Sequence, residues 1–137
     1  MLSIYTDGGS RGNPGKSACS FIAVKDKEII HEEAKFLGIK TNNEAEYNAI
    51  IIALKWLDKD NRLDEKEKLE IEIISDSELI IKQINGRYKI KKKHLIELNN
   101  QIKELCIGKK FLFLNSRREN EFISRADLLV NKKLDKS

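Results

Sequence analysis

Hydrophobic and polar positions alternate at the start of the chain. Leu2, Ile4 and Thr6 are interleaved with Ser3, Tyr5 and Asp7, the period-2 pattern of a half-buried strand. Gly8, Gly9, Gly12, Pro14 and Gly15 follow, so the strand is expected to break into a loop. Glycine there allows close backbone approach and can present bare N–H groups to a ligand. Ser17 to Lys25 reads as a second strand. Asp26-Lys27 reads as a hairpin turn, without the glycine such turns favour. Glu28 to Leu37 reads as a third strand, ending at Gly38. Three sequential strands with short connections predict an antiparallel meander.

The period then changes from two to that of a helix. Ala49, Ile50, Ala53, Leu54 and Leu57 form one apolar stripe, in a helix predicted to run to about Lys59. Thr41 and Glu44 have capping-box spacing at its start. Leu69 to Ser75 alternates again and predicts a fourth strand, ending at Asp76. Ser77 to Asn85 is a short helix closed by Gly86, a natural C-terminal cap. Leu95, Leu98, Ile102 and Leu105 mark a helix over His94 to Cys106. Lys110 to Leu114 is a fifth strand. A last helix, begun at Ser124, carries Leu128, Leu129, Val130 and Leu134. The order β-β-β-α-β-α-α-β-α predicts an α/β fold with a five-stranded mixed sheet flanked by helices.

Composition narrows the function classes. A length of 137 residues with 40% hydrophobic positions suits one domain, spanning 1–137, with one sizeable core. No apolar run reaches membrane-spanning length and the start of the chain does not resemble a signal peptide. The expected setting is the cytoplasm, without membrane association and as a monomer. Cys19 and Cys106 are the only cysteines. They lack metal-ligand spacing and suit reduced thiols in or near the core. Gly15-Lys16-Ser17 resembles the end of a phosphate-binding P-loop, but position 10 is Ser where that motif needs glycine. An apolar strand also follows it where a helix is required, so ATP or GTP binding is excluded. The net charge of +4 is modest, and its distribution says more. Asp58 to Glu72 is rich in acids, whereas Arg87 to Lys93 is basic throughout its charged positions. That basic run could meet a phosphate backbone or be a solvated loop.

Three acids occupy one kind of position. Asp7 ends the first strand and Asp76 ends the fourth. Glu46 lies one turn before the apolar stripe of the first helix, on the same side. An acid there is costly unless it is paired, protonated or bound to a cation. Brought together, the three would repel unless a divalent ion held them. Oxygen ligands without His or Cys suit Mg²⁺ or Mn²⁺ rather than Zn²⁺. Taken alone, Asp7 could equally start a tight turn. Asp127 shares a face with Val130 and Leu134 and is a candidate fourth ligand, though Ser124 and Asp127 also have capping-box spacing.

These residues carry a family resemblance. Tyr5-Thr6-Asp7-Gly8-Gly9-Ser10-x-Gly12-Asn13-Pro14-Gly15, Thr41-Asn42-Asn43-Glu44-Ala45-Glu46-Tyr47 and Ser75-Asp76-Ser77 resemble the three ordered motifs of type 1 ribonuclease H. Asn85-Gly86-x-Tyr88-Lys89 and the basic turn after it resemble the compact form without a basic protrusion. The resemblance runs through Leu114 and implies a ribonuclease H-like fold. It implies a hydrolase, a metal-dependent endonuclease acting on the RNA strand of RNA–DNA hybrids. Asp7, Glu46, Asp76 and Asp127 would be the catalytic residues and hold two Mg²⁺ (or Mn²⁺) ions, with Gly8 at the metal site. Products would carry 5′-phosphate and 3′-hydroxyl ends. Gly12 and Asn13 would lie along the RNA strand, Thr41, Asn42 and Asn43 along the DNA strand, and Ser77 near the reacting bond. Lys91, Lys92 and Lys93 would add phosphate contacts. The alternatives are a related nuclease that cuts double-stranded RNA, or a noncatalytic hybrid-binding module.

The match weakens near the end. The family usually has an Asn four residues before its last Asp. Ile123 stands there, and Asn120 lies seven before Asp127, as if about three residues were inserted ahead of a helix at Ser124. The loop also lacks the His that many relatives carry. Arg117 or Arg118 could take its place or be an ordinary surface base, and Arg118 is the candidate substrate contact.

Overall fold

A computed structural model of the chain describes residues 2–59 and 70–137. The elements are β1 (Leu2–Arg11), β2 (Gly15–Lys25), β3 (Glu28–Lys40), α1 (Asn42–Asp58), β4 (Ile71–Ser75), α2 (Glu78–Ile84), α3 (Lys93–Leu105), β5 (Phe111–Asn115) and α4 (Glu121–Asp135). The sheet order is β3-β2-β1-β4-β5. β1–β2 and β2–β3 pair antiparallel, while β1–β4 and β4–β5 pair parallel. This is the mixed sheet that the element order predicts. Leu69, expected to open β4, and most of the acid-rich stretch after Asp58 lie outside the described residues.

Alternation along β1 sorts its side chains between two layers. Leu2 and Ile4 face one side, where they pack with Phe21, Ile71, Ile73 and the apolar stripe of α1. Leu95 and Ile102 of α3 close that layer. Tyr5, Ile22 and Val24 face the other side, against Ala126, Phe122 and Leu129 of α4. Ala18 meets Val130 and Leu134 further along. No helix among the described residues is long and apolar enough to cross a membrane.

Local chemistry explains the turns and caps. Asp26 and Lys27 both have positive φ, 52° and 67°, the conformation a two-residue hairpin requires. Thr41 and Glu44 form the full capping box of α1. Ser77 caps α2, and Gly86 follows it with φ 76°, as its C-terminal glycine predicts.

Two expectations are corrected. The glycine-rich stretch is mostly strand: Gly8 to Arg11 continue the ladder opposite Cys19 to Lys16, and only positions 12–14 form the turn. Asp7 therefore sits inside β1 and not at its end. The last helix begins at Glu121, three residues before Ser124, with Asn120 as its cap. The Asn120 side chain accepts from Phe122 N at 2.9 Å and from Ile123 N at 3.2 Å. The supposed insertion is the first turn of α4. It does not bulge away, because Ile123 is fully buried and Phe122 packs on the Tyr5 ring at 5.0 Å.

Asn120→Ala should therefore destabilise the protein by about 1 kcal/mol, the ordinary worth of such a cap. The melting midpoint should fall by on the order of 4 °C. Ser124→Ala should cost less than about 0.5 kcal/mol, as at an ordinary surface position. A larger loss from Ser124→Ala than from Asn120→Ala would return the helix start to Ser124.

Candidate active site

The parallel pairing of β1 with β4 sets the first two acids side by side. Leu2 to Thr6 lie opposite Ile71 to Ser75, and the next residues on the two strands are Asp7 and Asp76. The Asp76 backbone is steadied from β5, since Asn115 Nδ2 and Ser116 N both donate to the Ser75 carbonyl, at 3.1 and 2.9 Å. Ser77 N donates to Ser75 Oγ at 3.0 Å, which turns the chain into α2.

Glu46 arrives from α1 because of Gly8. A Cβ on Gly8 would stand 2.3 Å from the Ala45 carbonyl carbon and oxygen and 2.6 Å from Glu46 N. Only a bare α-carbon lets the helix press this closely on the strand. The close approach also lets Gly8 N donate to Glu46 Oε1 at 2.6 Å. One carboxylate oxygen from each of Asp7, Glu46 and Asp76 can be chosen so that all lie within 4.8 Å of one another.

Burial and mutual repulsion dominate the electrostatics. Asp7 is buried, and burial first, then the charges of Asp76 and Asp127, push its carboxyl from 3.8 up to about 8. Burial, followed by Asp7 and Asp76, raises Glu46 well above the usual carboxylate range. The hydrogen bond from Gly8 opposes both shifts. Arg118 Nε lies 3.3 Å from Asp76 Oδ2, but the arginine side chain is 87% exposed against 12% for the aspartate. Water screens such a pair, so it leaves the cluster under-compensated. Clustered oxygen donors short of positive charge are what a hard divalent cation fits. The cluster is compatible with such an ion.

Asp127 joins the same cleft from the opposite layer. It is exposed on α4, and its charge helps to raise the Asp7 carboxyl. The cleft, about 460 Å³, is lined by all four acids together with Asn42, Asn43, Ser77 and Arg118. Its lining does not include Gly12, Asn13, Thr41 or the lysines at 91, 92 and 93. Asn13 and Asn42 instead tie the β1–β2 turn to α1. Asn42 N donates to Asn13 Oδ1 at 3.0 Å, and Ser10 N donates to Asn42 Oδ1 at 2.9 Å. The three lysines are exposed where the chain enters α3. His31 stacks on Trp56 at 4.7 Å and His94 lies in the first turn of α3, so neither lines the cleft.

Arg11 and Asn131 also line it. Asn131 follows Asp127 by one helical turn, a spacing readable from the sequence. Arg11 is held toward α4 by Asp135 at 2.6 Å, a pairing across 124 positions that no local pattern announces.

A carboxylate-lined cleft, where the pairing of the central strands β1 and β4 ends in a mixed sheet with helices on both faces, defines the class of site. The family model for RNase H matches residues 1–124, and the chain belongs to the RNase H family. It is 37% identical over 134 residues to Ribonuclease HI of Halobacterium salinarum, covering 96% of this chain and 63% of that protein. Among solved structures, LC11-RNase H1 in complex with RNA/DNA hybrid superposes with a TM-score of 0.89 at 38% identity, covering 99% of this chain and 98% of that one. RNase H1 of Halobacterium salinarum superposes with a TM-score of 0.85 at 34% identity, covering 99% and 98%. The fold is that of RNase H1.

The raised carboxyl of Asp7 makes a signed prediction. A group whose folded-state pKa lies above its unfolded value stabilises the fold below the unfolded value and loses that contribution as pH rises through the folded one. With metal chelated, the melting midpoint should fall between pH 3.8 and about 8. Asp7→Asn should melt higher than the parent at alkaline pH by on the order of 5 °C, with the gap closing near ~pH 4. A variant that melts lower at alkaline pH would show that Asp7 is not repelled in the fold.

Proposed function

We propose that this chain is an endonuclease that hydrolyses the RNA strand of RNA–DNA hybrids with divalent metal. The observation that carries the reading is the meeting of Asp7, Glu46 and Asp76 in one cleft, in a chain of the RNase H family. The LC11-RNase H1 complex with RNA/DNA hybrid supports the substrate class.

Asp7, Glu46, Asp76 and Asp127 would hold two Mg²⁺ or Mn²⁺ ions. With the ions bound, the chemistry supplied is activation of water and stabilisation of the leaving oxygen, giving 5′-phosphate and 3′-hydroxyl ends. The residues of the chain do the positioning. Gly8 N–H fixes the direction of the Glu46 carboxylate. The ladder with β2 holds Asp7, and the Asn115 and Ser116 contacts hold the backbone at Asp76. Arg118, exposed beside Asp76, would meet a phosphate next to the reacting one. Asn42, Asn43 and Ser77 are the polar side chains of the cleft that would contact backbone, with Gly12, Asn13 and Thr41 at its margin. Discrimination for RNA would rest on its 2′-hydroxyl, a donor and acceptor that DNA lacks. Contacts of this kind read helix shape and carry little base preference.

The direct test is cleavage of labelled hybrid, RNA duplex and DNA duplex with and without Mg²⁺. The RNA strand of the hybrid should be cut, EDTA should abolish cutting, and Asp7→Asn or Asp76→Asn should lower turnover by at least about 10³-fold while hybrid binding persists. Turnover near the parent's in either variant, or activity that survives EDTA, would overturn the metal-site reading. Cutting of RNA duplex at a similar rate would make the broader nuclease the correct one. Hybrid binding by the parent protein with no cleavage would leave a noncatalytic binding module.

Replacing Lys91, Lys92 and Lys93 together by Ala tests the outlying phosphate contacts. Affinity for hybrid should fall and its salt dependence should become shallower by roughly one to two in slope, with the pattern of cut sites unchanged. An unchanged slope would place this exposed run off the path of the nucleic acid.

A further inference from the structure

The fourth carboxylate differs from the other three. Asp7 and Asp76 stand on neighbouring strands, and Glu46 is fixed by a backbone donor. Asp127 is exposed on a helix that belongs to the opposite layer. Its distance from Asp7 therefore depends on how α4 is seated along the sheet. Apolar contacts do not set that seating finely, because they are non-directional.

Two directional contacts fall on the residues just before Asp127. Ser20 Oγ donates to the Ala126 carbonyl at 2.6 Å, and both residues are fully buried. Ser20 is also the residue directly opposite Asp7 in the β1–β2 ladder. Cross-strand partners project to the same face of the sheet, so the hydroxyl that grips α4 stands beside the aspartate that Asp127 must reach. Arg125 makes the second contact, a two-pronged pair with Glu32 of β3: Nε to Oε2 at 3.0 Å and Nη2 to Oε1 at 2.7 Å. A two-pronged pair of this kind fixes orientation as well as distance. One contact therefore stops α4 from sliding at Ala126, and the other stops it from rotating at Arg125.

We infer that Ser20, with the Glu32–Arg125 pair as its partner, is a positioning residue that sets Asp127 against Asp7 in the cleft. The inference rests on the proposed role of Asp127 in metal binding and deepens it. Ser20 is fully buried and outside the lining of the cleft. It acts through the helix carbonyl next to Asp127, and its position opposite Asp7 makes the two acids share one support.

The test is a pair of double-mutant cycles on the full chain, with Mg²⁺-dependent cleavage of hybrid as one readout and Mg²⁺ binding by calorimetry without nucleic acid as the other. Ser20→Ala should lower kcat by about 5- to 20-fold, leave KM for hybrid within about twofold, and weaken Mg²⁺ binding by a few-fold, the pattern of a misplaced group and not of lost substrate contact. In an Asp127→Asn background, Ser20→Ala should change kcat by less than about twofold, because the group it positions is gone. Glu32→Gln, a surface change that leaves the core intact, should show the same loss and the same disappearance. Equal losses in the two backgrounds, or a rise in KM with kcat unchanged, would overturn the positioning role while leaving Asp127 in place. Parent-like turnover by Asp127→Asn alone would instead overturn the metal role of Asp127, and the inference with it. If Ser20→Ala does not fold, the Glu32→Gln cycle decides by the same criteria.

Discussion

Like charges held close together are the constraint on which the rest of this structure depends. Asp7, Glu46 and Asp76 offer oxygens within 4.8 Å of one another, and the first two are largely removed from water. Left alone, such a cluster pushes Asp7 and Glu46 toward the neutral acid. The surrounding fold has to hold the three groups in place against that repulsion. It does so with rigid elements: a parallel strand pair, a helix pressed onto a strand, and backbone donors that cannot turn away.

Gly8 is the hinge of this arrangement. Its missing side chain admits the Ala45–Glu46 backbone, and its N–H then points at the carboxylate that the helix brings in. The same helix carries the apolar stripe that fills the larger core. Hydrophobic burial thus supplies the force that brings Glu46 toward Asp7, and the glycine decides how near it comes. Function and core packing share one contact, so a substitution at Gly8 would disturb both at once.

The opposite layer contributes a different kind of control. α4 is seated by the small clusters around Ala18 and Ile22 and by the polar contacts of Ser20 and Arg125. Arg11 and Asp135 tie its last turn back to the end of β1. The site is therefore built from two layers that meet at the strand bearing Asp7. One layer is fixed by sheet register. The other is adjustable and held by directional bonds.

Much of this was legible in the order of residues. The alternation at Leu2 to Asp7 reports a strand, and the stripe from Ala49 to Leu57 reports a helix that buries one face, because local periodicity and burial are linked by backbone geometry. Glu46 on that stripe already marks an acid in need of a partner. The cap at Thr41 is local chemistry and follows from spacing. Other features were decided only in three dimensions. The glycines at 8 and 9 have the composition of a loop, yet they lie in a strand, and at Gly8 the bare α-carbon serves the close approach of a helix. Asn120 and Ser124 are both capable caps, and the burial of Ile123 together with the contact of Phe122 on Tyr5 selects the first. Arg11 reaches Asp135, and Ser20 reaches Ala126, across more than a hundred positions of chain. Such pairings depend on strand order and helix seating, which arise from packing the whole core. No short stretch of sequence contains the information that a tertiary contact uses.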